Sequence, residues 1–400
     1  MKPVIFTIPF INKDVPGYGL MLMIAFLLAI WWAARRAARS KANPDVILNC
    51  GFVALVAGVV GCRAMYVWHY WDQFRGLGSP LNVFLGIVDI TRGGLEFYGG
   101  FILSLIAVPA WLVLWERVSL RWYLDIIAPS AMLGLAIGRI GCLLNGCCYG
   151  GTCELPWSIR FPFGSPASAE QWQRKEAGAA LPQELLHEYP LGIYMPISRE
   201  SLALSDAQIS EENAKERAAQ AALTELDRKL ANADASQKPA LQQQRQKLKQ
   251  ELAAASAGHN DLRGNMERYG LSAAQIRALA ARHESLPVHP TQIYSTITAG
   301  LIAWLLSSLY WRRTRDGQVF FTMLAVEPFT RVLIELIRAD NPIDQFGRLT
   351  ISQFLAIPMV LLGVIGLLVL RRMSARSPRA VEWVPPEERG APAVKAGAAT

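Results

Sequence analysis

Two arginines stand inside long apolar segments of this chain, Arg139 and Arg331. An ionisable side chain in such a segment is costly and usually faces a cavity or a partner. A guanidinium stays charged in poorly solvated surroundings, and its planar fork can hold two phosphate oxygens. Glu327 and Glu335 lie four residues before and after Arg331, which favours a paired polar stripe on one helical face. These residues predict a site for an anionic group within the apolar part of the chain.

Glycine-rich stretches occur at 92–100 and at 138–150. Glycine lets the backbone approach a ligand closely. Backbone N–H groups at such corners can also bind a phosphate. Both stretches lie at ends of apolar segments, so they are interpreted as parts of the same anion site.

The elements that must position this chemistry are membrane helices. A helix needs about 20 mostly apolar residues to cross a bilayer. The chain is 52% hydrophobic and 18% charged, whereas soluble proteins carry about a quarter charged residues. This composition excludes a simple cytosolic protein, a disordered chain and a disulfide-stapled mini-domain. The predicted fold is an all-α polytopic membrane protein with seven transmembrane helices, at 18–34, 46–70, 97–115, 123–144, 291–311, 318–337 and 350–370.

Charge distribution predicts the orientation of these helices. Arg and Lys concentrate after the first, third, fifth and seventh segments, so the N-terminus is predicted outside and the C-terminus inside. The net charge of +8 divides into −1 for residues 165–288 and +9 for the rest. The basic excess is therefore interpreted as a signal of membrane topology. The sequence shows no stripe of basic residues interleaved with aromatic ones, which would be typical of nucleic-acid binding. Residues 1–14 lack the pattern of a cleavable signal peptide.

Four regions follow from this pattern. Membrane domains are predicted at 1–164 and 289–372, an extracytoplasmic polar insert at 165–288, and a disordered cytoplasmic tail at 373–400. In the insert, leucines recur at helical spacing on either side of a break at 233–239, which predicts a helical hairpin. A partly disordered spacer is the alternative.

Polar side chains of several helices fall at one depth. A rise of about 1.5 Å per residue places Arg139, Arg331 and Arg63 at about 24, 20 and 25 Å from the inner ends of their helices. Arg63 could also reach the interface without any function. Side chains at the outer ends of the inward-running segments belong to the same layer, namely Tyr18, Tyr98 and His289. Such a layer, near the outer leaflet, suits a lipid head group.

The six cysteines do not have the spacing of a zinc ribbon. No metal site is therefore predicted. A disulfide among Cys147, Cys148 and Cys153 is expected instead, because that segment reaches an oxidising compartment. Cys50 and Cys62 are interpreted as small core residues.

The chain resembles the prolipoprotein diacylglyceryl transferase family over about 1–164 and 286–372. Six segments carry the resemblance, and their order matches the predicted helices: Tyr18–Met21, Gly93–Gly100, Gly138–Gly150, Leu155–Pro162, His289–Tyr294 and the stretch from Arg331 through Glu335 and Arg338 to Asp340. The insert is much longer than the family's usual external head.

The resemblance implies an enzyme of the bacterial inner membrane. The family transfers the diacylglyceryl group of phosphatidylglycerol to the lipobox cysteine of a prolipoprotein signal peptide, and glycerol phosphate leaves. No cofactor is implied. Arg139, Arg331 and Tyr98 are the implied catalytic residues. The implied substrate-binding residues are Tyr18, Arg63, Gly99, Gly100, Asn145, Gly150, His289, Gln292, Tyr294 and Glu335.

The sequence departs from the family at the proton acceptor. Many members have His where Tyr98 stands, and a phenol is a poor base unless nearby arginines lower its pKa. Tyr98 is thus either a phenolate beside Arg139 or a substrate-positioning group, and His289 is a second candidate base. Cys142, Cys147 and Glu327 also replace the residues usual in the family. A lipid transporter or flippase, and a membrane scaffold with a decayed site, remain alternative functions.

Overall fold

The computed structural model describes residues 4–8, 13–76, 79–89, 94–189, 192–231, 238, 241–242, 244–249, 260–339 and 350–384. The described chain is mostly helical and divides into two compact units. The described residues of the membrane unit lie within 4–142, 291–337 and 350–384. Those of the polar unit lie within 143–290 and 338–339. The predicted domain boundaries stay predictions.

The elements follow one another in a simple order. Two antiparallel strands open the chain, β1 (Val4–Ile8) and β2 (Lys13–Pro16). Six helices follow: α1 (Gly17–Arg39), α2 (Pro44–His69), α3 (Trp71–Arg75), α4 (Pro80–Val88), α5 (Phe97–Leu114) and α6 (Leu120–Asn145). The polar unit contributes α7 (Pro166–Gln173), β3 (Leu186–Tyr189), β4 (Ile193–Pro196), α8 (Arg199–Ala203), α9 (Asp206–Ala231), α10 (Asn260–Tyr269) and α11 (Ala273–Ala280). The last three helices are α12 (Thr291–Arg312), α13 (Gln318–Glu335) and α14 (Ile351–Leu370).

The described helices confirm a multi-pass membrane protein. Each of the seven predicted membrane segments coincides with a helix. Within the described part of the chain, five helices are both long and apolar enough to cross a membrane: α1, α2, α6, α12 and Ser352–Leu370 of α14. Helix α5 is apolar but shorter, and α13 carries three charged side chains in its 18 residues.

Small residues bring α2 and α5 into close contact. A Cβ atom on Gly99 would overlap the carbonyl of Gly61, and one on Gly100 would overlap Cys62 and the carbonyl of Gly58. Membrane helices commonly associate through such small residues because lipid supplies no hydrophobic drive for their packing. The structure thus gives Gly99 and Gly100 a packing contact. Their predicted role in substrate binding stays a prediction.

Arg36 is a buried residue that links three helices of the membrane unit by hydrogen bonds. It lies within α1 at 4% exposure and donates to the carbonyl of Ile126 and to Ser130 Oγ of α6, both at 2.9 Å. It also donates to Ser307 Oγ of α12 at 2.8 Å. The sequence assigned Arg36 to a cytoplasmic connection, because a cation flanking an apolar run is the usual topology signal. The helix instead continues to Arg39, and burial with three hydrogen-bond acceptors stabilises the guanidinium there.

Residues 373–384 bond to two helix connections. The Asp316 N–H donates to the carbonyl of Ala375 at 2.9 Å, and the Ser377 N–H donates to Asp316 Oδ2 at 2.8 Å. The Trp383 N–H donates to the carbonyl of Lys41 at 2.9 Å. The disorder predicted for the tail at 373–400 stays a prediction. Residues 385–400 lie outside the described residues.

The polar unit has an apolar core of its own. Helices α9, α10 and α11 and the β3–β4 hairpin pack around Leu185, Ile197, Leu262 and Ile276, each at most 2% exposed. Helix α9 coincides with the first predicted helix of the insert, and the predicted hairpin stays a prediction. Among the described residues of the second, 241–242 and 244–249 are helical, and Arg245 Nε lies 2.6 Å from Asp227 Oδ1. The predicted break at 233–239 lies, except for Lys238, outside the described residues.

Candidate anionic-lipid site

The two predicted arginines act electrostatically on the same acidic side chain. Arg139 lies on α6 and Arg331 on α13, and Glu327 of α13 interacts electrostatically with both. All three side chains are partly buried. Two guanidinium groups from different helices thus influence one carboxyl group. A phosphate placed there would meet two permanent cations in surroundings of low polarity.

Neighbouring residues on α13 and α14 hold Arg331. Its Nη2 atom donates to Ser352 Oγ on α14 at 3.2 Å, and Ser352 is only 7% exposed. Glu335, one turn after Arg331, is buried at 4% exposure. The sequence singled out the carboxylates but missed Ser352. The signal was present, because Ser352 is a polar residue at the start of an apolar segment, near the predicted depth of Arg331.

Tyr18 contacts α6 at Gly141, which lies two residues after Arg139 in the chain. The ideal Cβ position of Gly141 lies 3.3 Å from Tyr18 Cδ2 and 3.2 Å from Met21 Cβ. Beside Arg139, a Cβ on Gly138 would have no atom of the described residues within 4 Å. Tyr18 itself is 40% exposed. The first turn of α1 therefore packs against α6 two residues beyond Arg139, next to open space at Gly138.

Helix α12 approaches α6 just below this level. Thr296 Oγ1 donates to the carbonyl of Ala136 at 3.3 Å, three residues before Arg139. Gln292, one turn earlier on α12, is fully buried, and Tyr294 is partly buried. The predicted residues Gln292 and Tyr294 thus lie in the first turn of a helix that contacts α6. Their contact with substrate stays a prediction.

Arg63 is bonded to backbone carbonyl groups and packs against aromatic rings. Its Nε donates to the carbonyl of Ile87 at 2.8 Å, Nη2 to that of Gly86 at 2.6 Å and Nη1 to that of Gly94 at 3.0 Å. Its guanidinium also lies over the rings of Tyr66 and Phe74, 5.3 and 5.5 Å from their centroids. These contacts tie the end of α4 and the start of the 94–100 stretch to α2. A role in substrate binding, predicted from depth, stays a prediction.

Tyr98 is the second residue of α5 and is 39% exposed. Its neighbour Glu96 pairs with His69, with 2.8 Å between Glu96 Oε2 and His69 Nδ1. An exposed phenol at the start of a helix can reach a substrate. Whether it accepts a proton stays a prediction.

The polar unit assembles a second group of the predicted residues. The Gly150 N–H donates to the carbonyl of His289, and the His289 N–H donates to that of Gly151, both at 3.0 Å. Gly150 also forms an antiparallel bridge with Arg338. Asn145 ends α6 shortly before, six residues after Arg139. The motifs at 145–150, at 289 and at 338 are therefore neighbours in space, which their separation in sequence does not reveal.

The cysteines are thiols rather than disulfides. The disulfide expected among Cys147, Cys148 and Cys153 is therefore not formed, because proximity in sequence does not by itself give the geometry a disulfide needs. Cys50 is buried at 4% exposure, as expected of a small core residue. Cys62 lies at the α2–α5 contact beside Gly100.

A family model described as prolipoprotein diacylglyceryl transferase matches residues 3–204 and 259–369. The chain belongs to the prolipoprotein diacylglyceryl transferase family. Every predicted site residue lies inside the matched ranges. Residues 205–258, which include all of α9, lie between them and are an insertion relative to the family model.

Individual relatives resemble different lengths of the chain. A phosphatidylglycerol–prolipoprotein diacylglyceryl transferase of Rhodopirellula baltica is 39% identical over 165 residues, 40% of this chain and 32% of that protein. One of Pseudoalteromonas translucida is 31% identical over 181 residues, 44% of this chain and 64% of that protein. One of Proteus mirabilis is 25% identical over 387 residues, 95% of both chains. The first two matches thus span between about a third and two thirds of those relatives.

Proposed function

We propose that this chain transfers the diacylglyceryl group of phosphatidylglycerol to the cysteine thiol of a prolipoprotein signal peptide. Membership in the family and the names of its relatives support this reaction. The observation that carries the proposal is that Arg139 and Arg331, on different helices, both interact electrostatically with Glu327. Two converging guanidinium groups suit a leaving group that gains negative charge on phosphate.

The reaction divides into bond changes that the site residues can assist. The sulfur of the peptide thiol attacks the glyceryl carbon, and a C–S bond forms as the C–O bond to phosphate breaks. The phosphodiester monoanion leaves as a phosphomonoester, which carries the electron pair of the broken bond. Arg139 and Arg331 stabilise that developing charge by electrostatic contact that needs no reorganisation. Glu327 and Glu335 orient the guanidinium of Arg331.

The thiol proton needs an acceptor, because the thiolate is the nucleophile. Tyr98 and His289 are the two proposed acceptors. Tyr98 would accept the proton through its phenol oxygen, and His289 would accept it through an imidazole nitrogen. Activity of Tyr98→Phe assigns the role: full turnover excludes Tyr98, and a large loss with His289→Gln still active excludes His289.

The remaining predicted residues are proposed to bind the substrates. Tyr18 hydrogen-bonds the lipid, while Asn145 and Gly150 shape the head-group pocket. Gly99, Gly100 and Arg63 support the stretch that carries Tyr98, and Gln292 and Tyr294 complete the pocket. The partners are phosphatidylglycerol, a signal peptide and the surrounding membrane lipid.

The proposed cellular location and orientation rest on the distribution of charge along the chain. We infer seven transmembrane helices in the bacterial inner membrane, with the N-terminus and residues 165–288 outside and the C-terminus inside. Arg and Lys in alternate connections support this orientation. The insert at 165–288 is proposed to contain an antiparallel helical hairpin, supported by α9 and by the Arg245–Asp227 contact.

One assay tests the reaction directly. Purified full-length protein is incubated with phosphatidylglycerol labelled in its glycerol head group and with a lipobox peptide. We expect a peptide mass increased by one diacylglyceryl group and release of labelled glycerol phosphate. Peptide with the cysteine replaced by serine is the control. Lipid movement between leaflets without a covalent product would favour a flippase and overturn the proposal.

A further inference from the structure

The start of α13 is capped by a side chain from another helix. Helix α13 begins at Gly317, which has φ +96° and no side chain with which to cap its own helix. Asp125 of α6 takes that role: the Gly317 N–H donates to Asp125 Oδ2 at 2.8 Å, and the Phe320 N–H donates to Oδ1 at 2.9 Å. One carboxylate thus accepts from two of the N–H groups that every helix leaves unsatisfied at its start.

Asp125 is completely buried and paired. Its Oδ2 atom lies 3.3 Å from Nε of Arg313, whose guanidinium stacks 3.9 Å from the ring centroid of Tyr310. Arg313 also lies 3.6 Å from Asp316. A buried charge is tolerated only with such partners, and removing one partner of a buried pair is strongly destabilising. The junction is therefore a fixed point between α6 and α13.

The same two helices carry the proposed catalytic arginines further along the chain. Fourteen residues separate Asp125 from Arg139 on α6, or about 21 Å of helix. Eleven residues separate Phe320 from Arg331 on α13, or about 17 Å. The two arginines therefore lie at similar distances along their helices from the Asp125 junction, and both interact electrostatically with Glu327. A shift of α13 along α6 at the junction would move Arg331 relative to Arg139 by a similar amount.

We infer that Asp125 is a positioning residue, which fixes the axial register of α13 against α6 and so holds Arg139 and Arg331 at one level. The inference rests on the proposed function, because it assigns the register a purpose in the transfer reaction. A displacement of about 1 Å in a catalytic site can cost about 10²-fold in rate. Loss of the junction is therefore expected to lower kcat by that order, with a smaller change in KM.

The experiment compares a cap between helices with a cap inside one helix. Asp125→Ala removes the junction. Ser119→Ala removes the cap of α6 itself, where Ser119 Oγ accepts from the Trp122 N–H at 3.2 Å, and is the matched control. Nitroxide-bearing noncanonical residues at the exposed positions Ile140 and Leu333 report the distance between the two helices near the arginines. The readouts are thermal unfolding, kcat and KM, and that distance by pulsed electron paramagnetic resonance.

We expect both variants to unfold at lower temperature, but only Asp125→Ala to broaden or shift the distance and lower kcat about 10²-fold. An Asp125→Ala protein with the parental distance and turnover would overturn the inference and leave Asp125 as a stabilising cap. If Asp125→Ala is not recovered, Asp125→Asn decides by the same criteria, because it keeps one acceptor oxygen. The distance needs no activity, so it judges the register even if the parent protein transfers no lipid and the proposed function fails.

Discussion

Replacing Arg331 with alanine tests the proposed phosphate site most directly. The change removes one of the two cations that share Glu327, together with the bond to Ser352. Two unit charges about 4 Å apart interact by about 4 kcal/mol at an effective dielectric constant near 20. At about 1.4 kcal/mol for each factor of ten in rate, this predicts a loss of about 10³-fold in kcat.

The type of substitution separates charge from geometry. Arg331→Lys keeps the charge but loses the planar fork, so we expect it to fall between the parent and Arg331→Ala. Arg139→Ala should cost about as much as Arg331→Ala. The double variant should lose less than the two losses combined, because residues that act as a unit are not additive.

The assay measures release of labelled glycerol phosphate from phosphatidylglycerol by purified protein, with a lipobox peptide as acceptor. Arg372→Ala is the matched control, because Arg372 is an exposed arginine at the end of α14. Thermal unfolding of each variant shows that the fold is retained. Turnover of Arg331→Ala within tenfold of the parent, in a folded protein, would refute the assignment of Arg331 to the developing phosphate charge.

Three further predictions concern the framework of the site. Gly99→Leu should destabilise the protein by about 1–3 kcal/mol, because the new side chain would overlap Gly61. The control Gly300→Leu has open space around it and should unfold at the parental temperature, so equal unfolding temperatures of the two variants would contradict the packing role of Gly99. Asp261→Ala should lower the free energy of unfolding of the polar unit by about 1–3 kcal/mol, because the Ser198 N–H loses Asp261 Oδ2, its acceptor at 2.6 Å. An unchanged hydrogen-exchange rate of the Ser198 amide would contradict this prediction. Replacing 219–252 with a flexible linker should preserve turnover, since those residues lie outside the family match, and a complete loss in a folded protein would give the insertion a catalytic role.

Hydropathy predicted where the membrane helices lie, because a bilayer forces backbone hydrogen bonds inside each segment. The helix at 318–335 was visible from sequence despite its three charges, since Glu327, Arg331 and Glu335 recur at one helical spacing. The polar unit was less predictable. Its strands are four residues long, and its core joins residues far apart in sequence. Such a core has no local periodic signature, so only the long α9 was foreseen.

The candidate site could be predicted only in part. Because helical rise is fixed, the sequence could place Arg139 and Arg331 at similar depths. The contacts of Ser352 and Asp125 could not be predicted, since each joins helices whose relative rotation and register a sequence does not specify. The same holds for the bonds between residues 373–384 and two helix connections, because composition carries no information about such partners.

The charge of an arginine's partners, rather than its depth, distinguishes the two structural arginines of the membrane unit from the two proposed to bind phosphate. Arg36 and Arg63 direct their guanidinium groups at backbone carbonyls, serine hydroxyls and aromatic rings, which are fixed parts of the fold. Such contacts satisfy the donors at no cost in reorganisation, and a phosphate would have to break them. Arg139 and Arg331 instead both interact electrostatically with an acidic side chain, Glu327, in addition to the bond from Arg331 to Ser352. Because two guanidinium charges exceed the single negative charge of Glu327, we propose these two arginines as the pair that binds the phosphate of the lipid.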